Sequence, residues 1–359
     1  MSPADLWDQL AADGLVEGGL PEEKSGQGPW FVRVMLGIAG WIGALFLLGF
    51  VGIGFVFIFE NASFALLAGA AFCTGGYSLL RTLRDNDFGE QFGLALSLVG
   101  QLLIAFGFGR LAGGQQSAGF LAVAVVQAAL AYAVPHFLHR VLATAGGGVA
   151  FAIGMAAVPL PGFAAPLLCA GSAWIWLDAR RWAGRGALWR PIGYGLAVAL
   201  LLVEGYHLFG VDRLFGSSTQ DPRWMTLHGP VLARIAGAAV LAWVVLALTR
   251  REKLLHGSRA ELGAFGGAAA AVLAAVAMPG LASASIVLLL GFAAKSRILM
   301  ALGVLSLLGF VARFYYSLDA TLLVKSGILA AIGIVLLLAC LAIARGVFSA
   351  RPEEEAGHG

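Results

Sequence analysis

The chain has 359 residues, of which 60% are hydrophobic and only 12% are charged. Soluble globular domains carry roughly 25% charged residues, so this composition excludes a soluble fold. A formal net charge of +3, without a basic patch interleaved with aromatic residues, also gives no indication of nucleic-acid binding.

Residues 1–33 are mostly polar and predict a short cytoplasmic segment that precedes the first apolar run. Pro3 is typical of the first turn of a helix, and Leu6, Trp7 and Leu10 would share one face of that helix. The segment therefore contains a short predicted amphipathic helix. This helix either lies on the membrane surface or docks against the loops of the protein itself.

Residues 34–343 are predicted to form a single transmembrane domain. A membrane-spanning helix needs about 20 predominantly apolar residues, and charged residues, prolines and glycines divide this region into twelve apolar runs, two of them short. We therefore predict an all-α, polytopic integral membrane protein with twelve transmembrane helices. The predicted spans are residues 34–59, 63–80, 92–109, 118–134, 141–158, 162–177, 192–209, 230–248, 260–278, 281–294, 298–316 and 320–343.

The distribution of basic residues predicts the orientation of the chain. Most of the 23 basic residues fall in regions that the twelve-helix arrangement places in the cytoplasm. The positive-inside rule then predicts cytoplasmic N- and C-termini, with residues 344–359 as a cytoplasmic tail.

The predicted helices also indicate an internal repeat. When they are taken in successive groups of four, the third helices of the groups resemble one another, which indicates three repeat units. These predicted four-helix units are residues 34–140, 141–259 and 260–343.

Four charged residues fall at a similar predicted depth, in the outer third of the hydrocarbon layer. The helical rise of 1.5 Å per residue places Glu204 and Arg313 about 20–24 Å from the inner boundary, and Arg234 and Lys325 enter the same layer from outside. A lone charge at that depth costs at least about 2.5–3.5 kcal/mol, which favours a shared polar cavity that opens outwards. The predicted site residues are Glu204, His207, Arg234, Arg313, Asp319 and Lys325, with Gln101, Tyr206, Tyr315 and Tyr316 as further lining residues.

The chemistry of this predicted cavity has two functional interpretations. In the layer of four charges, three cations face the one carboxylate of Glu204, and this excess favours an anionic ligand, such as a phosphate or a lipid head group. Glu204 and His207, which follow each other closely on one helix, would alternatively relay protons.

A purely structural interpretation is also open. Asp319 would cap the last helix, and Arg313 would lie at a helix C-terminus. Arg234 and Lys325 would extend their side chains to the membrane surface, and the tyrosines would be ordinary interfacial aromatics. Lys325 then remains the costly residue, and Glu204 is its predicted partner.

The sequence contains no recognised motif for a catalytic, cofactor or metal site. Cys73, Cys169 and Cys340 lie singly inside apolar runs, which is typical of small buried hydrophobic residues. His136 and His139 have a spacing that permits metal ligation. No carboxylate or cysteine accompanies these histidines, however, so a structural role is favoured. We therefore predict no catalytic residue, no cofactor and no metal.

Stretches at both ends of the chain resemble a known family. The run GPWFVRV at 28–34 is followed by GIAGWIGALFLLGFVG at 37–52, and YYSLDATLLVKSGIL occupies 315–329. With the pattern between Leu6 and Pro21, these stretches resemble the bacterial membrane proteins grouped as domain of unknown function 4401. The resemblance implies a multi-pass protein of the bacterial inner membrane, and a companion membrane-anchored protein with a GDYxxLxY motif as its partner. It implies no functional residues.

These features favour a transporter-like or lipid-handling membrane protein with an outward-facing cavity that attracts anions, and with membrane lipids among its partners. The alternative hypothesis is a non-catalytic membrane scaffold that assembles with the companion protein, in which the charges would serve helix packing. A third hypothesis, an enzyme that acts on lipid-linked substrates, has no motif to support it.

Overall fold

A computed structural model describes most of the chain between the N-terminal helix and the last predicted span. The described residues are 3–14, 16, 30–54, 60–83, 86–113, 115–155, 162–177, 184–208, 223–251, 272, 275–276, 278, 280–317, 323 and 326–327. Within these ranges the protein is all-α and contains no strand, as the sequence predicts.

Eleven helices are described in chain order. They are α1 (Pro3–Ala12), α2 (Trp30–Gly54), α3 (Ala62–Thr82), α4 (Asp87–Ala112), α5 (Gln116–Ala133), α6 (Phe137–Met155), α7 (Ala164–Leu177), α8 (Gly186–Leu208), α9 (Arg223–Arg251), α10 (Leu281–Ala293) and α11 (Arg297–Ser317). Each helix from α2 to α11 coincides with one predicted span. The predicted spans 260–278 and 320–343 lie largely outside the described residues.

Six of these helices are long and apolar enough to cross a membrane, by length and composition. They are α3, α4, α6, α8, α9 and α11. Shorter apolar helices include α5, α7 and α10. An apolar environment favours this all-helical architecture, because each helix satisfies its own backbone polar groups where no water is present.

Two helices begin well before their predicted spans and run through a proline. Helix α8 begins at Gly186 and α9 at Arg223, so Pro191 and Pro230 lie inside helices, whereas the predicted spans start at about these prolines. A proline removes the N–H group that would bond to the carbonyl four residues earlier. Such a helix continues through its proline when another donor serves that carbonyl.

Arg140 of α6 provides this donor for α8. Its Nη1 donates a hydrogen bond at 2.8 Å to the carbonyl of Ala187, four residues before Pro191. Its Nε donates at 3.0 Å to the carbonyl of Ala131, which Pro135 leaves without a helical donor at the end of α5. One guanidinium group therefore joins the end of α5 to the start of α8.

The described contacts divide the chain into two compact units. Unit 1 comprises Met1–Phe55 and Phe72–Val99. Within it, α3 and α4 approach closely, since a β-carbon at Gly76 would lie 2.7 Å from the carbonyl oxygen of Gly93. Small residues permit this close packing of helices in membranes. Cys73 is buried in the same unit, as the sequence predicts.

Unit 2 comprises Val56–Ala71 and Gly100–Gly359. Its core is a cluster of apolar side chains from α7 to α11, among which Leu200, Leu241 and Ile286 are fully buried. Helices α6 and α8 pack closely through small residues, since a β-carbon at Gly195 would lie 2.5 Å from Cβ of Thr144. This packing fixes α8 against its neighbours, and α8 carries the acidic residue of the candidate site.

Candidate functional site

Glu204 and Arg234 line the same cavity in unit 2. Glu204 comes from α8 and Arg234 from α9, and the cavity has a volume of about 410 Å³. Ligand pockets are typically 300–1,000 Å³ and mostly apolar with a few polar groups, and this cavity has that size and character. Further lining residues are Cys169, Ala233, Gly237, Gly280 and Ser283.

The Glu204 carboxylate is held by a neighbouring helix. Ser283 Oγ of α10 donates a hydrogen bond to Glu204 Oε1 at 2.6 Å. The same Ser283 Oγ lies 3.5 Å from Cys169 Sγ of α7. With the Ser283 proton directed to Glu204, the thiol of Cys169 is the group that donates to Ser283. Ser283 and Cys169 are each only 1% exposed. Three helices therefore fix one carboxylate oxygen at the cavity wall.

The Arg234 guanidinium is anchored to backbone carbonyls. Its Nε donates to the carbonyl of Pro230 at 3.2 Å, and its Nη1 donates to that of Val276 at 3.5 Å. An arginine has five N–H donors, and these bonds use two of them among the described residues. The remaining N–H groups of Arg234 can meet a carboxylate or a phosphate in the cavity.

Two short helices begin at this cavity. Helix α7 has 14 residues and α10 has 13. Ala165 of α7 and Ala282 of α10 line the cavity, and both belong to the first turn of their helix. The N-terminus of a helix carries partial positive charge and N–H groups that favour an anion. Together with Arg234, these two helix ends favour a negatively charged group in their part of the cavity, whereas the Glu204 carboxylate, which also lines the cavity, carries negative charge itself.

Other predicted lining residues lie elsewhere in unit 2. Tyr206 lines a separate groove between α8 and α11, and Tyr315 packs edge-on against Tyr316, with ring centroids 5.5 Å apart. Arg313 is half-buried on α11 and is not among the described lining residues of the cavity.

Gln101 belongs to a different buried contact. Its Nε2 lies 3.0 Å from His139 Nε2, and both side chains are buried. His136 Nδ1 accepts a hydrogen bond from the backbone N–H of His139 at 3.1 Å. The two histidines therefore take part in the turn that begins α6. No group of three or more metal-ligating residues occurs in the described part of the chain.

Three predicted site residues cannot be placed by their side chains. His207 belongs to α8, but its side chain lies outside the described part, as do Asp319 and Lys325 altogether. The pair of Glu204 with Lys325 therefore stays a prediction. The sequence reasoning missed Ser283, although a serine within a short, otherwise apolar helix is a signal for a polar contact between helices.

Comparison with known proteins gives one match. No curated protein and no solved structure matches the sequence. The sequence profile of one family matches residues 29–346, which is most of the chain and includes α2 to α11. The protein therefore belongs to the family described as Domain of unknown function (DUF4401).

Proposed function

We propose that this protein is a multi-pass protein of the bacterial inner membrane, with twelve spans, cytoplasmic termini and the three repeat units 34–140, 141–259 and 260–343. The six long apolar helices of the described part support membrane embedding. The excess of basic residues in the proposed cytoplasmic regions supports the orientation.

In this protein the cavity of Glu204 and Arg234 binds the anionic group of a ligand, and the protein acts as a transporter-like or lipid-handling protein. One observation carries the proposal: two charged residues, from two different helices, line one cavity. Intramembrane ionisable residues are rare because they are costly, and they commonly mark substrate or ion pathways. In the proposed orientation, α7 and α10 begin at the outer side, so the cavity opens outwards.

A second candidate function is a non-catalytic scaffold for a companion membrane-anchored protein with a GDYxxLxY motif. The contacts of the charged groups favour it. Ser283 already bonds to Glu204, and backbone carbonyls already bind Arg234. In a scaffold, these bonds would be sufficient to explain both charges, and the cavity would need no ligand.

Inorganic phosphate distinguishes the two candidates. A ligand that binds only the folded state raises its unfolding temperature in a concentration-dependent manner. We expect phosphate to stabilise the purified full-length protein in detergent, and Arg234→Gln to abolish this effect. Arg110→Gln is the matched control, because Arg110 likewise donates to a backbone carbonyl, that of Glu60 at 3.0 Å, but is not among the lining residues of the cavity.

The opposite result supports the scaffold. If the protein is a scaffold, phosphate would not change its unfolding temperature. The variants Glu204→Gln and Arg234→Gln would lose function only in proportion to their loss of folded protein. A companion protein would also co-purify in stoichiometric amount. A phosphate effect that survives in Arg234→Gln would show that the anion binds elsewhere and would contradict the proposed cavity.

A further inference from the structure

The two short helices at the cavity follow two copies of one sequence pattern. Residues 156–164 read AAVPLPGFA and residues 274–282 read AAVAMPGLA, so that six of the nine positions are identical. The dipeptide Pro-Gly occurs only at these two places in the chain. The copies fall in the proposed repeat units 141–259 and 260–343, each leading into the second helix of its unit. This pattern indicates that α7 and α10 are equivalent helices of an internal duplication.

The structure gives the two copies the same local conformation and the same place at the cavity. Gly162 has a φ of +85° and Gly280 a φ of +80°, a left-handed conformation that glycine adopts without strain. Both glycines line the cavity, and so do Ala165 and Ser283, which lie three residues further on in each copy. In transporters, short or interrupted helices at corresponding positions of two repeats indicate the binding site.

The α10 copy already holds an anion, and this anion belongs to the protein. Ser283, in the first turn of α10, donates a hydrogen bond to the Glu204 carboxylate at 2.6 Å. Negative charge is favourable there, because the first turn of a helix carries partial positive charge. The start of α10 therefore shows that this sequence pattern binds an oxyanion.

The α7 copy has the same helix start but lacks the hydroxyl. The residue equivalent to Ser283 is Ala165, which is 7% exposed and lines the cavity. The backbone N–H of Ala165 has no acceptor within the helix, since it belongs to the first turn. The first turn of α7 therefore carries the same partial positive charge as that of α10, with a methyl group where α10 has a hydroxyl.

Helix α9 brings a second source of positive charge to this place. A β-carbon at Gly162 would lie 3.2 Å from Cβ of Ala233, so α9 packs directly against the start of α7. The next residue of α9 is Arg234, which lines the same cavity and whose guanidinium binds carboxylates and phosphates well. A helix start and an arginine therefore both favour an anion in this part of the cavity.

We infer that the ligand of the cavity places its anionic group at the first turn of α7, as Glu204 places its carboxylate at the first turn of α10, and that residue 165 sets the affinity for this group. The inference rests on the proposed function of the cavity and assigns the position of the anion within it. Of two equivalent anion positions, Glu204 fills one and the ligand fills the other. Both groups are oxyanions that accept hydrogen bonds, as carboxylates and phosphates do.

Adding the missing hydroxyl tests the inference by a gain of affinity. Ala165→Ser gives α7 the side chain that α10 has at the equivalent position. We expect it to lower the Kd of the purified full-length protein for inorganic phosphate about tenfold, because a hydrogen bond to a charged group is gained. The Kd is obtained from the dependence of the unfolding temperature on phosphate concentration in detergent.

The matched control makes the same substitution elsewhere on α7. Ala170 is half-buried and is not among the described residues that line the cavity. We expect Ala170→Ser to bind phosphate with the affinity of the wild-type protein. A tenfold gain in this control as well would show that the effect of Ala165→Ser does not come from the cavity.

A fixed carboxylate at the same position tests the inference by a loss of affinity. Ala165→Asp is compatible with the helix, because acidic residues are favourable in a first turn. Its carboxylate would repel an anion at that place. We therefore expect that phosphate no longer raises the unfolding temperature of this variant. If one of the two variants at residue 165 does not fold, the other decides.

The outcomes separate this inference from the proposed function. Unchanged or weaker phosphate binding by Ala165→Ser, or full phosphate binding by Ala165→Asp, would overturn the inference. The proposed function would still stand in that case, as long as phosphate binding by the wild-type protein is lost in Arg234→Gln. Absence of phosphate binding by both the wild-type protein and Ala165→Ser would overturn the two together.

Discussion

Arg140 supplies to helix α8 the hydrogen bond that Pro191 removes from it. The carbonyl of Ala187 would bond to the N–H of residue 191, and Arg140 Nη1 takes that place at 2.8 Å. Because the same guanidinium serves Ala131 beside Pro135, the side chain replaces two missing backbone donors at once. A basic residue that the sequence assigns only to a cytoplasmic turn is thus part of the helix framework.

Replacing Arg140 should destabilise the protein through Pro191. We expect Arg140→Gln to lower the free energy of unfolding by about 1–3 kcal/mol, because carbonyls are left without donors. In a Pro191→Ala background, which restores the N–H group, the same change should cost about 0.5–1.5 kcal/mol less. Denaturant unfolding of the four proteins of this double-mutant cycle in detergent measures the difference. Strictly additive losses would contradict the relationship.

Two serines with equal burial should respond differently to truncation. Ser283→Ala removes the donor to Glu204 and should cost about 1.5–3 kcal/mol, the range for a hydrogen bond to a charged group. Ser172 is fully buried, and its hydroxyl has no hydrogen-bond partner among the described residues. Ser172→Ala should therefore be neutral or slightly stabilising. Thermal unfolding of both variants tests this, and equal losses would refute it.

Neighbouring glycines of α3 provide a test of packing within unit 1. A β-carbon at Gly76 would lie 2.7 Å from the Gly93 carbonyl oxygen, whereas one at Gly75 would lie 3.5 Å from its nearest neighbour, a methyl carbon of Leu96. Gly76→Ala should cost about 1–3 kcal/mol through overpacking. Gly75→Ala should be neutral or stabilise the helix by about 0.5–1 kcal/mol. The comparison needs only the two midpoints of unfolding, and a reversed order would contradict the packing.

Cysteine labelling tests the proposed orientation. In a variant without the native cysteines, Gln115→Cys lies between α4 and α5, in a proposed external loop, and Arg185→Cys lies just before α8, in a proposed cytoplasmic loop. Both positions are exposed. A membrane-impermeant maleimide should label Gln115→Cys in intact cells and Arg185→Cys only after permeabilisation. Labelling of both positions, or of the second alone, in intact cells would contradict cytoplasmic termini.

The sequence predicts the helices well because apolar runs bounded by charges, glycines and prolines have few other structures available in lipid. The sequence misplaces the starts of α8 and α9, because a proline normally indicates a helix boundary. Only the fold shows whether another hydrogen-bond donor replaces the N–H group that the proline lacks. Arg140 is that donor for α8, and no local pattern reveals a partner 47 positions away in the chain.

The candidate site could likewise be predicted only in part. The rise per residue predicts a common depth for Glu204 and Arg234, and these two residues do line one cavity. Which face of each helix meets which neighbour depends on how the helices are rotated, and this requires their packing. Glu204 and Tyr206 are only two positions apart on α8, but one lines the cavity and the other lines the groove.

The shortness of α7 and α10 has a consequence for the charge on Glu204. With 14 and 13 residues, each helix is about 20 Å long, some 10 Å less than the hydrocarbon thickness of a typical bilayer. In the proposed orientation the missing length lies on the outer side, directly above the cavity. We expect water to enter the space that this leaves, which would raise the local dielectric constant. A carboxylate at the base of such a water-filled depression is less costly than one on an isolated helix at equal depth.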